Sequence, residues 1–244
     1  MKHIKLDAIS STNDFLKVLL SQQHVDNFTV ISANEQTNGK GQMGATWNSE
    51  KGKNLTMTLL LKDLITQIDQ MFLLNKAVAV GIINALEPHP LNTLSIKWPN
   101  DIMAGNKKIG GVLIENIFKS NGEIFSVVGI GINVNQSDFK GLPQASSLHN
   151  LTGEHFDVNL LLNDIVTRIK QKSALLMSEQ HKNIDNEYHQ HLFKINTPMP
   201  FETHEGERFM GIIQKVDDLG KLWLMDESDT LRSFSIKEIK LLYH

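Results

Sequence analysis

The segment 71–86 constrains the fold more than any other part of the sequence, because it is apolar on nearly every side of a predicted helix. Apolar residues recur with helical spacing at positions 71, 74, 78, 82, 85 and 86. Phe72, Ala79 and Ile83 make the opposite side of this helix apolar as well. A helix that is apolar all round is buried, so we expect it in the core.

Short β-rich or apolar runs predict the strands around this helix. They lie at 28–32, 54–61, 94–98, 111–118 and 124–134. The last three follow one another along the chain, which is typical of a meander. Strands and helices that mix without regular βαβ alternation indicate an α+β fold for residues 1–194, with a mixed sheet packed with helices.

Three further helices are predicted from capping residues and from apolar residues at helical spacing. The first follows Ser11-Thr12-Asn13-Asp14, which matches the S/T-x-x-D/E capping pattern. The second follows Asp157, a candidate N-cap, and the third is a polar helix through 179–192. His189 and His191 in this last helix diverge by about 200°, so they do not form a metal pair and are predicted to lie at the surface.

The remaining segments predict a long loop and a second, smaller domain. Residues 135–153 show no sustained hydrophobic periodicity and are predicted to form a long loop, of a length that usually indicates a functional loop. After residue 197 the pattern changes to short alternating runs at 209–216, 221–225 and 231–236. These runs predict a small all-β module at 195–244, of the size of a barrel.

Charge and composition exclude several classes of function. The 24 Lys and Arg residues nearly balance the 27 Asp and Glu residues, which argues against a chain that coats nucleic acid or an anionic membrane. The absence of cysteine excludes disulfides, thiolate metal ligands and a cysteine nucleophile. The first residues lack the apolar run of a secretory signal, and no stretch of 18 apolar residues follows, so the predicted location is cytoplasmic.

A glycine-rich segment at 39–44 is the first candidate site. It matches the G-x-G-x-x-G pattern of dinucleotide-binding proteins, but residues 44–49 are poor helix formers, and that site needs a helix directly after the glycines. The glycines still allow a backbone to approach a ligand closely, and Lys40 supplies a positive charge for a phosphate or carboxylate. The alternative is a glycine-rich hairpin loop with an exposed lysine.

Two further candidates follow predicted strands. A hairpin through Gly105-Asn106 would bring the carboxylate of Asp101 close to the ammonium of Lys108; the alternative is a solvated surface pair. Gly129 and Gly131 interrupt a predicted strand, which indicates close approach of a ligand or, alternatively, of a packed helix. Asn133 at the end of this strand offers an amide for positioning a ligand.

Taken together, these motifs resemble the catalytic core of biotin protein ligases, the biotin–[acetyl-CoA-carboxylase] ligase family. The resemblance is carried by residues 11–13, Gln36 with 39–47, the lysine-tryptophan-proline-asparagine-aspartate string 97–101, 107–111 and 129–133. It implies a class II synthetase-like catalytic core followed by an SH3-like C-terminal domain. Many members have arginine at the positions of Lys40 and Gln42, so this chain keeps only one of the two charges.

The resemblance also implies the reaction and its partners. Biotin and ATP would form biotinyl-5′-AMP and pyrophosphate, with Mg²⁺ neutralising the leaving group. A lysine of a biotin carboxyl carrier protein domain would then take up the biotin and release AMP. Only ten residues precede Ser11, too few for a helix-turn-helix domain, so no nucleic-acid partner is expected. The near-neutral charge argues against a membrane partner. A homodimer through edge strands rests on family analogy alone.

The site residues implied by the resemblance fall into three groups. The catalytic residues are Lys108, Asp101 and Lys40. The biotin-binding residues are Ser11, Thr12, Asn13, Gln36, Gly39, Lys40, Lys108 and Gly111. The ATP-binding residues are Lys40, Gln42, Met43, Trp47, Asn100, Lys108 and Asn133. The metal ligands are not assigned.

Two other functions compete with this interpretation. A lipoate or octanoate ligase would use the same general fold and the same reaction logic. We favour biotin, because the bicyclic ureido ring needs hydrogen-bonding groups and Ser11, Thr12 and Gln36 provide them. The other alternative is a non-catalytic SH3-like interaction protein.

Overall fold

The computed structural model describes residues 2–65, 67, 70–178 and 180–243, and its elements form two sheets. The strands of the first sheet are β1 (His3–Ile9), β2 (Val30–Gln36), β3 (Leu55–Lys62), β4 (Leu94–Lys97), β5 (Asp101–Ala104), β6 (Lys107–Phe118) and β7 (Ile124–Ile132). The helices are α1 (Thr12–Gln22), α2 (Met71–Leu86), α3 (Leu148–Thr152), α4 (Val158–Met177) and α5 (His181–Gln190). The strands of the second sheet are β8 (Pro198–Thr203), β9 (Arg208–Val216), β10 (Leu222–Asp226), β11 (Leu231–Phe234) and β12 (Ile239–Leu241).

The first sheet is mixed and carries helices on both faces. Its strand order is β1-β2-β3-β7-β6-β5-β4, and only the β1–β2 pair is parallel. Neighbouring residues of a strand point to opposite faces: Leu60 packs with Leu16 of α1, whereas Leu59 packs with α2 and α4. The predicted α+β class and mixed sheet are confirmed.

Helix α2 is buried as its composition predicts. Twelve of its 16 residues are buried, and α4 and α5 pack against it. Gly81 allows the close contact with α4, because a Cβ at this position would lie 3.0 Å from the side chain of Ile169. The helix begins at Met71 and ends at Leu86, which are the bounds that the sequence predicts.

The second sheet is antiparallel throughout, with the order β11-β10-β9-β8-β12. This confirms the small C-terminal β module. The division of the chain at residue 194 remains a prediction; α5 ends at Gln190 and β8 begins at Pro198.

Some elements were not predicted from the sequence. Strands β1, β5, β8 and β12 are missing from the predicted strands. The predicted loop 135–153 contains α3, which Ser147 caps by accepting a hydrogen bond from the backbone N–H of Asn150. The predicted helix 179–192 starts at His181, and Glu179 lies outside the described residues. Within the described part of the chain, no helix is long and apolar enough to cross a membrane.

The two sheets are joined by polar contacts. The Trp98 indole donates to the carbonyl of Gly220 at 2.9 Å, and the fully buried Lys76 ammonium donates to the carbonyl of Val216 at 3.1 Å. His189 accepts a hydrogen bond from the backbone N–H of Val216 at 3.0 Å. His189 and His191, predicted to lie at the surface, are both half-buried, because the second sheet packs against His189 and His191 lies 3.6 Å from Glu87.

Gly220 offers a test of this interface. Its φ is +82°, and a Cβ there would lie within the ring of Phe72. We expect Gly220→Ala to lower the free energy of unfolding by about 1 kcal/mol through backbone strain and by roughly a further 1–3 kcal/mol through the clash. Urea unfolding measures both contributions together.

The matched control is Gly122→Ala. Gly122 has a similar φ of +87°, but nothing lies within 4 Å of a Cβ at this position. We expect only the backbone contribution of about 1 kcal/mol. Equal losses in the two variants would show that the Gly220 contact with Phe72 does not matter for stability.

Candidate active site

A cavity of about 230 Å³ lies beside the start of α1, the loop 39–47 and strands β5, β6 and β7. Most of the predicted site residues line it. They are Ser11, Thr12, Asn13, Gln36, Lys40, Gln42, Trp47, Asn100, Asp101, Lys108 and Gly111. Residues that were separate motifs in the sequence therefore share one cavity.

Glycines of β6 and β7 form part of the cavity wall. Gly111 and Gly131 are direct cross-strand partners. A Cβ on Gly131 would lie 2.5 Å from Cε2 of Trp47, and a Cβ on Gly129 would lie 2.6 Å from Oδ1 of Asn13. Gly129 thus allows the close approach of α1, and Gly131 that of the Trp47 ring.

Asp101 and Lys108 form an ion pair at the cavity. The two side chains come from adjacent strands, and Nζ of Lys108 lies 2.5 Å from Oδ1 of Asp101. The hairpin predicted through Gly105-Asn106 is confirmed by the pairing of β5 with β6. The pair is partly buried, because the side chain of Asp101 is only 16% exposed.

A β-bulge in β6 directs Lys108 into the cavity. Ile102 pairs with Gly110, but the next residue, Met103, pairs with Lys108, so Ile109 is an extra residue. Side chains alternate along a regular strand, and Lys108 would then point to the face opposite Gly111. The extra residue reverses the alternation and brings Lys108 to the face of Gly111, while Ile109 is fully buried in the core.

A hydrogen-bonded cluster lines another part of the cavity. The backbone N–H of Thr12 donates to Oε1 of Gln36 at 2.8 Å, and the Thr12 hydroxyl lies 3.0 Å from the same oxygen. The Thr58 hydroxyl donates to Oδ1 of Asn13 at 2.6 Å and lies 2.8 Å from the Thr12 hydroxyl. Among the described residues, Nε2 of Gln36 has no acceptor, so a ligand can accept from it.

The second lysine of the cavity is paired with a residue that was not predicted. Nζ of Lys40 lies 2.6 Å from Oδ2 of Asp14. This ammonium holds the pKa of Asp14 below the ordinary value of an aspartate, and Lys17 adds to the effect. The stability that the pair contributes is present above the usual aspartate pKa and is lost as the pH falls through the lowered one. The Lys40–Asp14 pair is therefore intact at neutral pH.

The first turn of α1 is fixed by a further acidic residue that the sequence reading missed. Glu115 of β6 accepts from Nδ2 of Asn13 at 2.8 Å and from Nζ of Lys17 at 2.7 Å. Lys97, also missed, lies 3.6 Å from Oδ2 of Asp101. Glu115 joins a strand to a helix that is distant in the sequence, so no local spacing indicates it. Lys97 belongs to the 97–101 string but was assigned no role.

The structure does not bring Gly39, Met43 and Asn133 to the cavity wall. Gly39 packs beneath the backbone of Trp47, and Met43 is 60% exposed. Asn133 is buried, where its backbone N–H donates to the carbonyl of Ile109 and its amide donates to that of Ser146. Asn133 thus supports the bulge that directs Lys108, and its predicted contact with a nucleotide has no support from this geometry.

The Lys40–Asp14 pair predicts that Asp14 competes with anionic ligands. We expect Asp14→Asn to tighten the binding of inorganic pyrophosphate about threefold, because an exposed pair of this kind contributes less than about 1 kcal/mol. Titration calorimetry at fixed ionic strength measures the affinity.

Asp7→Asn is the matched control, because Asp7 pairs with Lys51 at 2.8 Å and does not line the cavity. It removes the same charge and should leave the affinity unchanged. An equal gain in both variants would mean that net charge, and not release of Lys40, strengthens binding.

Comparisons with known proteins agree with this geometry. The model of the biotin/lipoate A/B protein ligase family matches residues 6–135. The bifunctional ligase/repressor BirA of Bacillus subtilis is 30% identical over 241 residues, which are 96% of this chain and 72% of that protein. The biotin–[acetyl-CoA-carboxylase] ligase of Mycobacterium tuberculosis is 24% identical over 227 residues, or 90% of this chain and 83% of that protein.

A solved structure shows the same fold. The biotin protein ligase from Aquifex aeolicus in complex with biotin and ATP superimposes with a TM-score of 0.79 at 24% identity, covering 100% of this chain and 99% of that chain. The family model spans more than half of this chain, and the match to BirA covers 96% of this chain. The chain therefore belongs to the biotin/lipoate A/B protein ligase family and, within it, to the biotin protein ligases.

Proposed function

We propose that this protein joins biotin to ATP, forming biotinyl-5′-AMP and pyrophosphate, and then transfers biotin to a lysine of a biotin carboxyl carrier protein domain. The observation that carries the proposal is that Lys40 and Lys108 line the same cavity as the Thr12–Gln36 hydrogen bonds. One cavity thus contains positive charge for phosphates and carboxylates together with groups that can bind a polar ring.

The first step must bring two anions together. The carboxylate of biotin attacks the α-phosphate of ATP, and positive charge around the new bond lowers the barrier. Lys108 and Lys40 supply this charge, but each is neutralised by a carboxylate before the ligands bind. Binding therefore exchanges partners, as each ammonium passes from its aspartate to a ligand oxygen.

The hydrogen-bonded cluster suits the ureido group of biotin. Nε2 of Gln36 can donate to a ureido oxygen, while the hydroxyls of Ser11 and Thr12 can donate or accept. Gly111, with no side chain, leaves room for the ligand beside Lys108. Trp47 and Gln42 line the same cavity and are proposed to contact the nucleotide, as is Asn100.

The second step requires a lysine of the carrier domain to lose a proton. Asp101 is the only carboxylate among the described residues that lines the cavity. We assign it to orient the attacking amine and accept its proton, after which the amine bonds to the acyl carbon and AMP leaves. Because the reaction uses ATP and a carrier protein, we place the enzyme in the cytoplasm.

Mg²⁺ is proposed to bind together with ATP. The described residues contain no group of three or more acidic or histidine side chains that could hold a metal ion. This fits Mg²⁺, which is commonly held by phosphate oxygens and water with few protein ligands. When bound, the ion neutralises charge on the departing pyrophosphate.

Lys108→Ala tests the proposed role of the lysine. We expect biotin-dependent ATP–pyrophosphate exchange to fall by about 100-fold or more, because a charge aimed at the transition state is lost. The measurement is incorporation of labelled pyrophosphate into ATP at saturating biotin. An unchanged exchange rate would contradict the assignment.

Lys107→Ala is the control for this experiment. Lys107 precedes Lys108 in β6, but its ammonium donates to the carbonyl of Pro143 and does not line the cavity. The exchange rate of this variant should stay within about threefold of the wild type, since exposed polar contacts of this kind contribute little.

Gln36→Leu distinguishes biotin from a linear acyl substrate. A polar ring loses a buried hydrogen bond in this variant, so we expect KM for biotin to rise by roughly tenfold to 100-fold with little change in KM for ATP. Lipoate or octanoate would lose nothing at this position. Exchange assays with each acid measure the difference, and activity of the wild type with lipoate or octanoate but not biotin would contradict the proposal.

A further inference from the structure

Asp101 lies between two lysines. Its Oδ1 faces Lys108 of β6, and its Oδ2 faces Nζ of Lys97 at 3.6 Å. Lys97 and Asp101 are direct cross-strand partners of β4 and β5. Lys97 does not line the cavity, whereas Asp101 and Lys108 do. Asp101 therefore links Lys97 to the cavity.

The ammonium of Lys97 is held by the segment that follows β12. It lies 5.4 Å from the centroid of the Tyr243 ring, a distance at which a cation is attracted to the ring. Tyr243 is buried and packs against Phe193 with an edge-to-face geometry. Burial raises the pKa of Tyr243, and the nearby charge of Asp101 adds to this, so the phenol is neutral.

A hydrogen-bonded chain ties this ring to the strand of Lys108. The side-chain amide of Gln144 donates to the backbone carbonyl of Tyr243 at 2.9 Å. The backbone carbonyl of Gln144 accepts from the N–H of Lys108 at 2.8 Å. Gln144 thus hydrogen-bonds to the backbone of Tyr243, whose ring contacts Lys97, and to the backbone of Lys108.

Lys108 has two tasks that conflict. It neutralises Asp101 before the ligands bind, and it must turn to the ligand anions during the reaction. Leaving Asp101 without a cation would be costly, because a mostly buried charge without a partner is strongly unfavourable. Among the described residues, Lys97, Lys108 and Tyr243 are the titratable groups placed against Asp101, and only Lys97 is a cation that remains when Lys108 moves.

We propose that Lys97, held on the ring of Tyr243, is a positioning residue that compensates Asp101 and so releases Lys108 for the ligand. The inference rests on the proposed ligase function and extends it. It assigns the lysine of the 97–101 string to a task separate from those of Trp98 and Asp101. It also connects the second sheet to the reaction, because Tyr243, which contacts Lys97, closely follows the last strand of that sheet.

A double-mutant cycle tests this proposal. In the wild-type background, Lys97→Met should lower kcat/KM for biotin-dependent exchange about tenfold, the equivalent of about 1.4 kcal/mol. In an Asp101→Asn background, which has no charge to compensate, the same substitution should have no further effect. A merely structural role would give equal losses in both backgrounds, because independent effects add.

Conservative variants sharpen the test. Lys97→Arg keeps the cation and should recover most of the activity. Tyr243→Leu should lower kcat/KM in the wild-type background but not in the Asp101→Asn background. Tyr243→Phe, which keeps the ring, should lower kcat/KM less. Additive losses in the cycle, or no recovery with Lys97→Arg, would overturn the proposal. Failure of the ligase function itself has a different result, since the wild type would then show no exchange with any of the acids.

Discussion

The bulge at Ile109 is the feature on which the site depends. It places Ile109 in the apolar core and turns Lys108 to the side of Gly111 and Asp101. In a regular strand, the alternation of side chains would direct Lys108 to the face covered by α2 and α4, where an ammonium would need a buried partner. The hydrogen bond from Asn133 to the carbonyl of Ile109 fixes this geometry from the neighbouring strand.

Charge in the cavity is balanced before any ligand binds. Lys108 and Lys40 each face an aspartate within hydrogen-bonding distance. The affinity for an anionic ligand is therefore the difference between the new contacts and the ion pairs that they replace. Lys40 uses an exposed partner, whose loss costs little, whereas Asp101 is mostly buried and its loss of a partner would cost more.

Local signals in the sequence predicted much of this structure. The apolar pattern of 71–86 gave the correct bounds of α2, and the turn residues Gly105-Asn106 indicated the hairpin that joins Asp101 to Lys108. Strand β1 was missed although polar and apolar residues alternate along it, because it lies at the edge of the sheet and none of its residues is fully buried. The contact of His189 with Val216 was missed because it depends on how the second sheet packs against α5, which the helical spacing of apolar residues does not indicate.

Pairings between distant segments could not be predicted in the same way. Thr58 meets Asn13 because α1 packs across β3, and Asp14 meets Lys40 because the loop 39–47 lies beside the start of α1. The resemblance to a family located the motifs, but it did not supply the partners that neutralise them. It also placed Asn133 at the nucleotide, whereas Asn133 does not line the cavity and its side-chain amide donates to the carbonyl of Ser146.

The string 97–101 meets two structural requirements at once. Trp98 donates to the carbonyl of Gly220 and so anchors the second sheet. Asp101, at the other end, enters the cavity, and the hydrogen bonds between Asn100 and Val112 hold the turn against β6. One short string thus contacts the second sheet through Trp98 and sets the charge of the cavity through Asp101.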